Sequence, residues 1–148
     1  MNNKIEKTIE LNAPLTKVWD ALTDYRKFGQ WFRVNIEKPF EIGKLSRGQL
    51  TFPGYEHVTW QAIIQKIEPQ HYFSFTWHPF AVEPSRDYST ETPTLVEFKL
   101  EEIANGTLLT VIESGFDKLP KDRYTEAFRM NEAGWNTQLN NIKTYVSH

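Results

Sequence analysis

The chain has no cysteine, which excludes disulfide staples, a thiolate metal site and a cysteine nucleophile, and leaves the redox compartment open. Charge of either sign is not in excess: 17 Lys and Arg stand against 19 Asp and Glu, and the two signs are interspersed. No Lys/Arg run reaches the density needed to track phosphates, so neither nucleic acid nor an anionic membrane surface is an expected partner. Long apolar runs are also missing. Nothing approaches the roughly 18 residues of a membrane span, and the opening MNNKIEKTIEL lacks the apolar stretch of a signal peptide. A cytoplasmic location is the resulting expectation.

Catalytic and cofactor motifs are equally scarce. There is no GxSxG, no Walker loop, no GxGxxG and no Ser/His/Asp ordering. His57, His71, His78 and His148 show no HxxxH, HxH or carboxylate-partnered spacing, so no metal and no cofactor is expected. The parity of its segment places His78 on an outer face at the entry to a loop. Asn105-Gly106-Thr107 matches a glycosylation sequon, but without a secretion signal it reads as a turn.

What the chain does have is aromatic side chains: five Trp, six Tyr and ten Phe among 148 residues. They carry large apolar area and stiff shape, suited to a big core or to the walls of a cavity. Length and composition indicate one domain, 1–148, able to bury a core without staples.

The last stretch, Lys121 to Val146, organises the rest. At helical spacing Tyr124, Ala127, Phe128, Asn131, Gly134, Trp135, Gln138, Leu139, Ile142, Tyr145 and Val146 share one stripe, a 3.6-residue period held for about seven turns. Asn131, Gly134 and Gln138 interrupt it. A glycine there costs roughly 1 kcal/mol of helix propensity and calls for a packing or functional reason.

Upstream, residues 4–11 alternate, with Ile5, Ile9 and Leu11 inward and Lys7 the misfit, which predicts a half-buried strand. Asn12-Ala13-Pro14 offers a cap-like start to a short helix carrying Leu15, Val18, Trp19 and Leu22. Thr23-Asp24 restarts a second short helix with Tyr25, Phe28, Trp31 and Phe32, bent or ended by Gly29. Strands are then expected at Phe40-Glu41-Ile42, Leu45–Phe52, 57–68, 71–78, 94–102 and 107–114, with turns at Pro53-Gly54, Glu68-Pro69-Gln70 and Asn105-Gly106. In 71–78, Phe73, Phe75 and Trp77 oppose Tyr72, Ser74, Thr76 and His78. Residues 79–92 read as a long loop of the kind that forms lids or binding loops. Parity in 107–114 is open. We favour Leu109, Val111 and Glu113 inward, although Leu108, Thr110, Ile112 and Ser114 form a face about as apolar.

The expected fold is α+β: two short helices follow the first strand, and a curved antiparallel sheet of six to seven strands grips a long C-terminal helix. A helix of ~25 residues spans about 36–39 Å, enough to cross such a sheet. A curled sheet and a helix do not fully close, and the gap becomes a pocket.

The opening strand followed by Ala13-Pro14-Leu15-Thr16-Lys17-Val18-Trp19-Asp20-Ala21-Leu22 and the knot Phe28-Gly29-Gln30-Trp31-Phe32 form a familiar pattern. With it go Trp60 to Pro69 running into Phe73-Ser74-Phe75-Thr76-Trp77, the strand ending in Gly115-Phe116, and Gly134-Trp135. In these segments the chain resembles the START-like helix-grip (SRPBCC) superfamily, most of all the branch named after the activator of the ninety-kilodalton heat-shock-protein ATPase. The resemblance covers nearly the whole chain. It implies a grip whose interior holds a small apolar or amphipathic molecule, on a scaffold that elsewhere serves lipid carriers, cyclases, hormone receptors and chaperone regulators.

Candidate ligand contacts are the aromatics Trp60, Phe75, Trp77, Phe98, Phe128 and Trp135. The amides Asn131 and Gln138 lie two turns apart on one helix face; they either meet the ligand or satisfy backbone groups and water. Glu113, if inward, is the candidate acid or base, its pKa raised by desolvation. The leading reading is a small-molecule binding protein. The alternatives are a cofactor-independent enzyme of cyclase or hydrolase-like type using Glu113 or Tyr124, and a chaperone-regulating module docking through Phe80, Val82 and Tyr88.

Overall fold

The computed structural model describes residues 3–147; His148 lies outside the described residues. Seven strands form one sheet in the order β1-β7-β6-β5-β4-β3-β2, each neighbour antiparallel. They are β1 (Lys4–Leu11), β2 (Val34–Ile36), β3 (Leu45–Leu50), β4 (Thr59–Glu68), β5 (Tyr72–Trp77), β6 (Thr94–Ile103) and β7 (Gly106–Ser114). The first two strands sit at opposite edges, so the chain between them must cross the sheet, which it does as α1 (Leu15–Thr23) and α2 (Tyr25–Phe32). The third helix, α3 (Lys121–Val146), packs against α1, α2 and β1.

Local chemistry accounts for these elements. Asp24 closes α1 by donating its N–H to the Asp20 carbonyl, and its side chain accepts from the Arg26 and Lys27 N–H groups to start α2. The amphipathic face of α2 buries Phe28, Trp31 and Phe32, and Trp31 Nε1 donates to the Ala21 carbonyl at 2.7 Å, locking the two helices together. Alternation delivers the core: Trp60, Ala62 and Ile64 from β4, Phe73 and Phe75 from β5, Val96, Phe98 and Leu100 from β6, Leu109 and Val111 from β7. From α3 come Ala127, Trp135, Leu139, Ile142 and Val146. Each large side chain so buried stabilises by about 1.5–3 kcal/mol.

Several local expectations are corrected. Residues 40–42 are not a strand. Arg33 takes a left-handed backbone (φ 71°), ends α2 and turns the chain straight into β2, whose Val34 and Ile36 pair with Leu50 and Gly48. Phe40 instead packs as a loop residue against Phe28 and Phe73. Gly29 neither bends nor ends α2; a Cβ there would sit 2.2 Å from the Val34 carbonyl oxygen, so its bareness lets β2 run close behind the helix. Asn12 does not cap α1, whose N-cap is Pro14. The β6–β7 hairpin turns through Ala104-Asn105, with Gly106 already paired to Ile103. Among the described residues no helix is long and apolar enough to cross a membrane.

Candidate functional site

The open parity of β7 resolves with Glu113 inward and completely buried. Three adjacent strand ends and α3 converge on its carboxylate. Trp77 at the end of β5 donates from Nε1 to Oε2 at 2.8 Å, and Thr94, opposite Trp77 in β6, donates from Oγ1 to the same oxygen at 2.6 Å. From α3, Trp135 Nε1 reaches Oε1 at 2.8 Å, and Asn131 Nδ2 reaches Oε1 at 2.9 Å and Oε2 at 3.2 Å. Asn131 and Trp135 are four residues apart, which places them one above the other on the same helix face.

Both oxygens therefore accept from two donors at 2.9 Å or less, filling the lone-pair directions of a carboxylate. Burial pushes the Glu113 carboxyl above its ordinary range; the bonds from Thr94, Trp77, Trp135 and Asn131 pull the other way without cancelling it. All four partners are neutral, and among the described residues no cation pairs with Glu113.

Above this cluster lies a cavity of about 370 Å³. Its floor is aromatic: Trp60, Trp77, Trp135 and Phe32 line it, with ring centroids 5.6 Å apart for Trp60–Trp77 and 5.9 Å for Trp77–Trp135. Every indole N–H of the floor is already used, since Trp60 Nε1 donates to Ser46 Oγ at 3.0 Å and the other two bind Glu113. What these tryptophans offer a guest is ring surface. On α3 the cavity faces Met130, Asn131, Gly134 and Gln138. A Cβ on Gly134 would meet nothing within 4 Å, so this glycine borders open space rather than a close neighbour. Thr59, Gln61, Ala133 and Thr137 line the cavity and are exposed, which opens it to solvent on that side.

Two loops make the remaining wall. The β3–β4 loop contributes Phe52, Tyr55 and Val58, and the segment after β5 contributes His78, Phe80, Ala81 and Val82. They are joined where His57 Nε2 lies 3.2 Å from the Val82 carbonyl oxygen. The second loop is strapped to the start of α3 by Arg123, a buried guanidinium. It forks onto Glu91 (Nε to Oε2 3.0 Å, Nη2 to Oε1 2.8 Å) and donates to the Pro79 and Phe80 carbonyls at 2.8 and 3.0 Å. Its guanidinium carbon lies 4.6 Å from the Tyr88 ring centroid.

Of the side chains singled out in the sequence, Trp60, Trp77, Asn131, Trp135 and Gln138 border the cavity. Phe75 and Phe98 do not, being packed behind the tryptophans, with Phe75 5.4 Å from both Trp60 and Trp77 and Phe98 5.8 Å from Trp135. Phe128 faces a different region, against Phe116 and Tyr124. Glu113 touches three wall residues without lining the wall itself. Gln138 Nε2 donates to the Phe32 carbonyl at 2.9 Å and Oε1 accepts from Asn141, so much of its polarity serves the joint between α2 and α3.

His78 is not the surface histidine its parity suggested. The strand ends at Trp77, so the pleat no longer dictates its direction, and it is half-buried in the cavity wall. Its Nδ1 is buried without a hydrogen-bond partner among the described residues. Burial holds the imidazole below its ordinary pKa, opposed by Glu91 and helped by Arg123. Arg123 was missed because a charge does not mark a core face, although it lies four residues before Ala127 on the same helix side. The expected docking residues are also spoken for: Phe80 and Val82 turn into the cavity, and Tyr88 lies beside Arg123. Among the described residues no group of three or more His, Asp and Glu side chains could hold a metal ion.

The family described as Activator of Hsp90 ATPase homolog 1-like protein matches residues 12–147. Among curated proteins none matches the chain. Solved structures of the same fold include DynU16, described as a protein in the dynemicin biosynthetic locus. It is 23% identical over 99% of this chain and 48% of its own, with a TM-score of 0.75, so the chain spans about half its length. MLL2253 from Mesorhizobium loti is 19% identical over 97% of this chain and 96% of its own, with a TM-score of 0.76. CalU16 from Micromonospora echinospora is 22% identical over 97% and 76%, with a TM-score of 0.66. At these identities the likeness is one of fold.

Proposed function

The chain belongs to the Activator of Hsp90 ATPase homolog 1-like family, and we propose that it binds a small apolar or amphipathic molecule in the cavity beside Gly134. The observation that carries this reading is a solvent-open, aromatic-floored recess of about 370 Å³ between the sheet, α3 and two loops. It falls within the size range of small-molecule sites, and its helix side is held open at a position where any residue but proline would favour the helix more. The committed indole N–H groups leave ring surface as the main contact, with the Asn131 and His78 side chains as polar neighbours.

Acid–base catalysis in the same cavity has less support. The Glu113 oxygens sit behind the rings with their acceptor directions filled, and Tyr124 stacks on Phe128 away from the cavity. The test is native mass spectrometry of freshly purified protein for a co-purified molecule, followed by a panel of apolar compounds read by melting temperature and by NMR shifts of residues 131–138. A Gly134→Leu variant, which fills the space, is expected to stay folded and lose the response. No adduct, no melting shift and no movement of 131–138 across the panel refutes the proposal.

A further inference from the structure

Among the described residues no cation is paired with the buried Glu113 carboxyl, so its ionised form would have no counter-charge on the protein. Its donors are two indoles, an amide and a hydroxyl. The indole N–H groups can only donate, so the arrangement suits the ionised carboxylate. Three of the four donors, Trp77, Asn131 and Trp135, are themselves cavity wall, so the carboxylate lies one side chain beneath the open space. Among the described residues the lining contains no Lys, Arg, Asp or Glu that would mask this charge or compete with it. The nearby cationic groups are accounted for: Arg123 is paired with Glu91, and burial keeps His78 toward its neutral form.

The rings over the carboxylate add to its pull. An indole that donates its N–H to an anion gains electron density, which strengthens the negative face that attracts cations. Trp60 and Trp77 are inclined at 71°, and Phe32 meets Trp60 at 72° and Trp135 at 64°. Trp77 and Trp135 lie closer to parallel, at 31°, and aromatic faces of this kind attract a quaternary ammonium group. A primary ammonium needs acceptors for its three N–H bonds; the floor's indoles only donate and the Gln138 amide is bonded, so its acceptors would have to come from the wall, from His78 Nδ1 and the Asn131 amide oxygen. A quaternary nitrogen needs none.

Resting on the binding function proposed above, we infer that the cavity favours an organic cation of the quaternary ammonium class, its charged group seated on Trp60, Trp77 and Trp135 over the buried carboxylate. The test compares benzyltrimethylammonium with neopentylbenzene, its uncharged carbon isostere. Both are titrated into the protein with the Trp77 and Trp135 indole N–H signals followed by NMR. The expected result is binding of the cation at least about tenfold tighter than the isostere, with both indole signals moving. In Glu113→Gln, which keeps the shape and removes the charge, the preference should collapse toward parity. Where that variant does not fold, the comparison in the unaltered protein decides. Equal or tighter binding of the isostere overturns the cation preference and leaves the binding function standing, as does a cation that moves other signals but not these indoles. Neither probe binding, while the apolar panel yields a ligand, overturns the cation preference alone; a blank panel removes the binding function with it.

Discussion

Replacing Arg123 by methionine keeps most of the side chain's length and removes its guanidinium. The change strands the Glu91 carboxylate, whose side chain is 5% exposed, with only Arg86 Nη2 at 3.6 Å, and it leaves the Pro79 and Phe80 carbonyls without their donors. Breaking a buried ion pair by removing one partner costs about 3–5 kcal/mol. The two carbonyls do not add their full desolvation penalty, because a loop released from its strap can open and hydrate them. For a chain of this size a loss of about 3–5 kcal/mol lowers the melting temperature by roughly 6–20 °C. Urea unfolding at neutral pH measures the loss, and hydrogen exchange across residues 79–92 locates it. In the double variant Arg123→Met/Glu91→Leu the stranded charge is gone, so about 1 kcal/mol or more should be recovered. A loss under about 1 kcal/mol with unchanged protection of 79–92 would show that Arg123 does not hold the cavity wall.

Two further expectations follow from the site. Glu113 should titrate above the ordinary carboxylate range, read from its Cδ resonance, because burial outweighs its hydrogen bonds. A raised folded-state pKa contributes stability that is fully present below the unfolded value and is lost as pH rises through the folded one. The stability of the native protein relative to Glu113→Gln should therefore fall across that window and level off above it; a flat difference sinks the assignment. The glycines should respond oppositely to alanine. Gly134→Ala gains up to about 1 kcal/mol because its Cβ meets nothing, whereas Gly29→Ala loses stability because its Cβ meets the Val34 carbonyl oxygen at 2.2 Å. Thermal melts that move in the same direction contradict this.

Much of the scaffold was legible in the sequence because its signals are local and periodic. The alternation in β1, β4 and β6 and the stripe of α3 each state which face is apolar, and burial follows that face. Even Glu113 was readable as an inward residue, though only by favouring one of two similar faces. The site was legible in part. Trp60, Trp77, Asn131, Trp135 and Gln138 border the cavity, but Phe75 and Phe98 share the parity of those tryptophans and are core. Parity says that a side chain faces inward and cannot say whether another ring stands in front of it. The loops carry no period: 79–92 could be read as a binding loop and Phe80 as one of its contacts, but nothing in the sequence turned Phe52, Tyr55 or His78 toward the cavity.

The residues by themselves determined an antiparallel sheet with one apolar face, two short helices and a long helix to cover it, since hydrophobic period is a property of neighbouring positions. They also determined an aromatic-rich interior, and left open whether Glu113 faced it. Only the tertiary structure decided what those groups do to one another. The carboxylate from β7 meets indoles from β5 and α3 that are 36 and 22 residues away, and a charged residue of α3 is buried because a loop 32 residues earlier brings Glu91 to it. Such partnerships depend on distances closed by the folding of the whole chain. The gap that remains beside Gly134, between strands, helix and two loops, belongs to none of them alone.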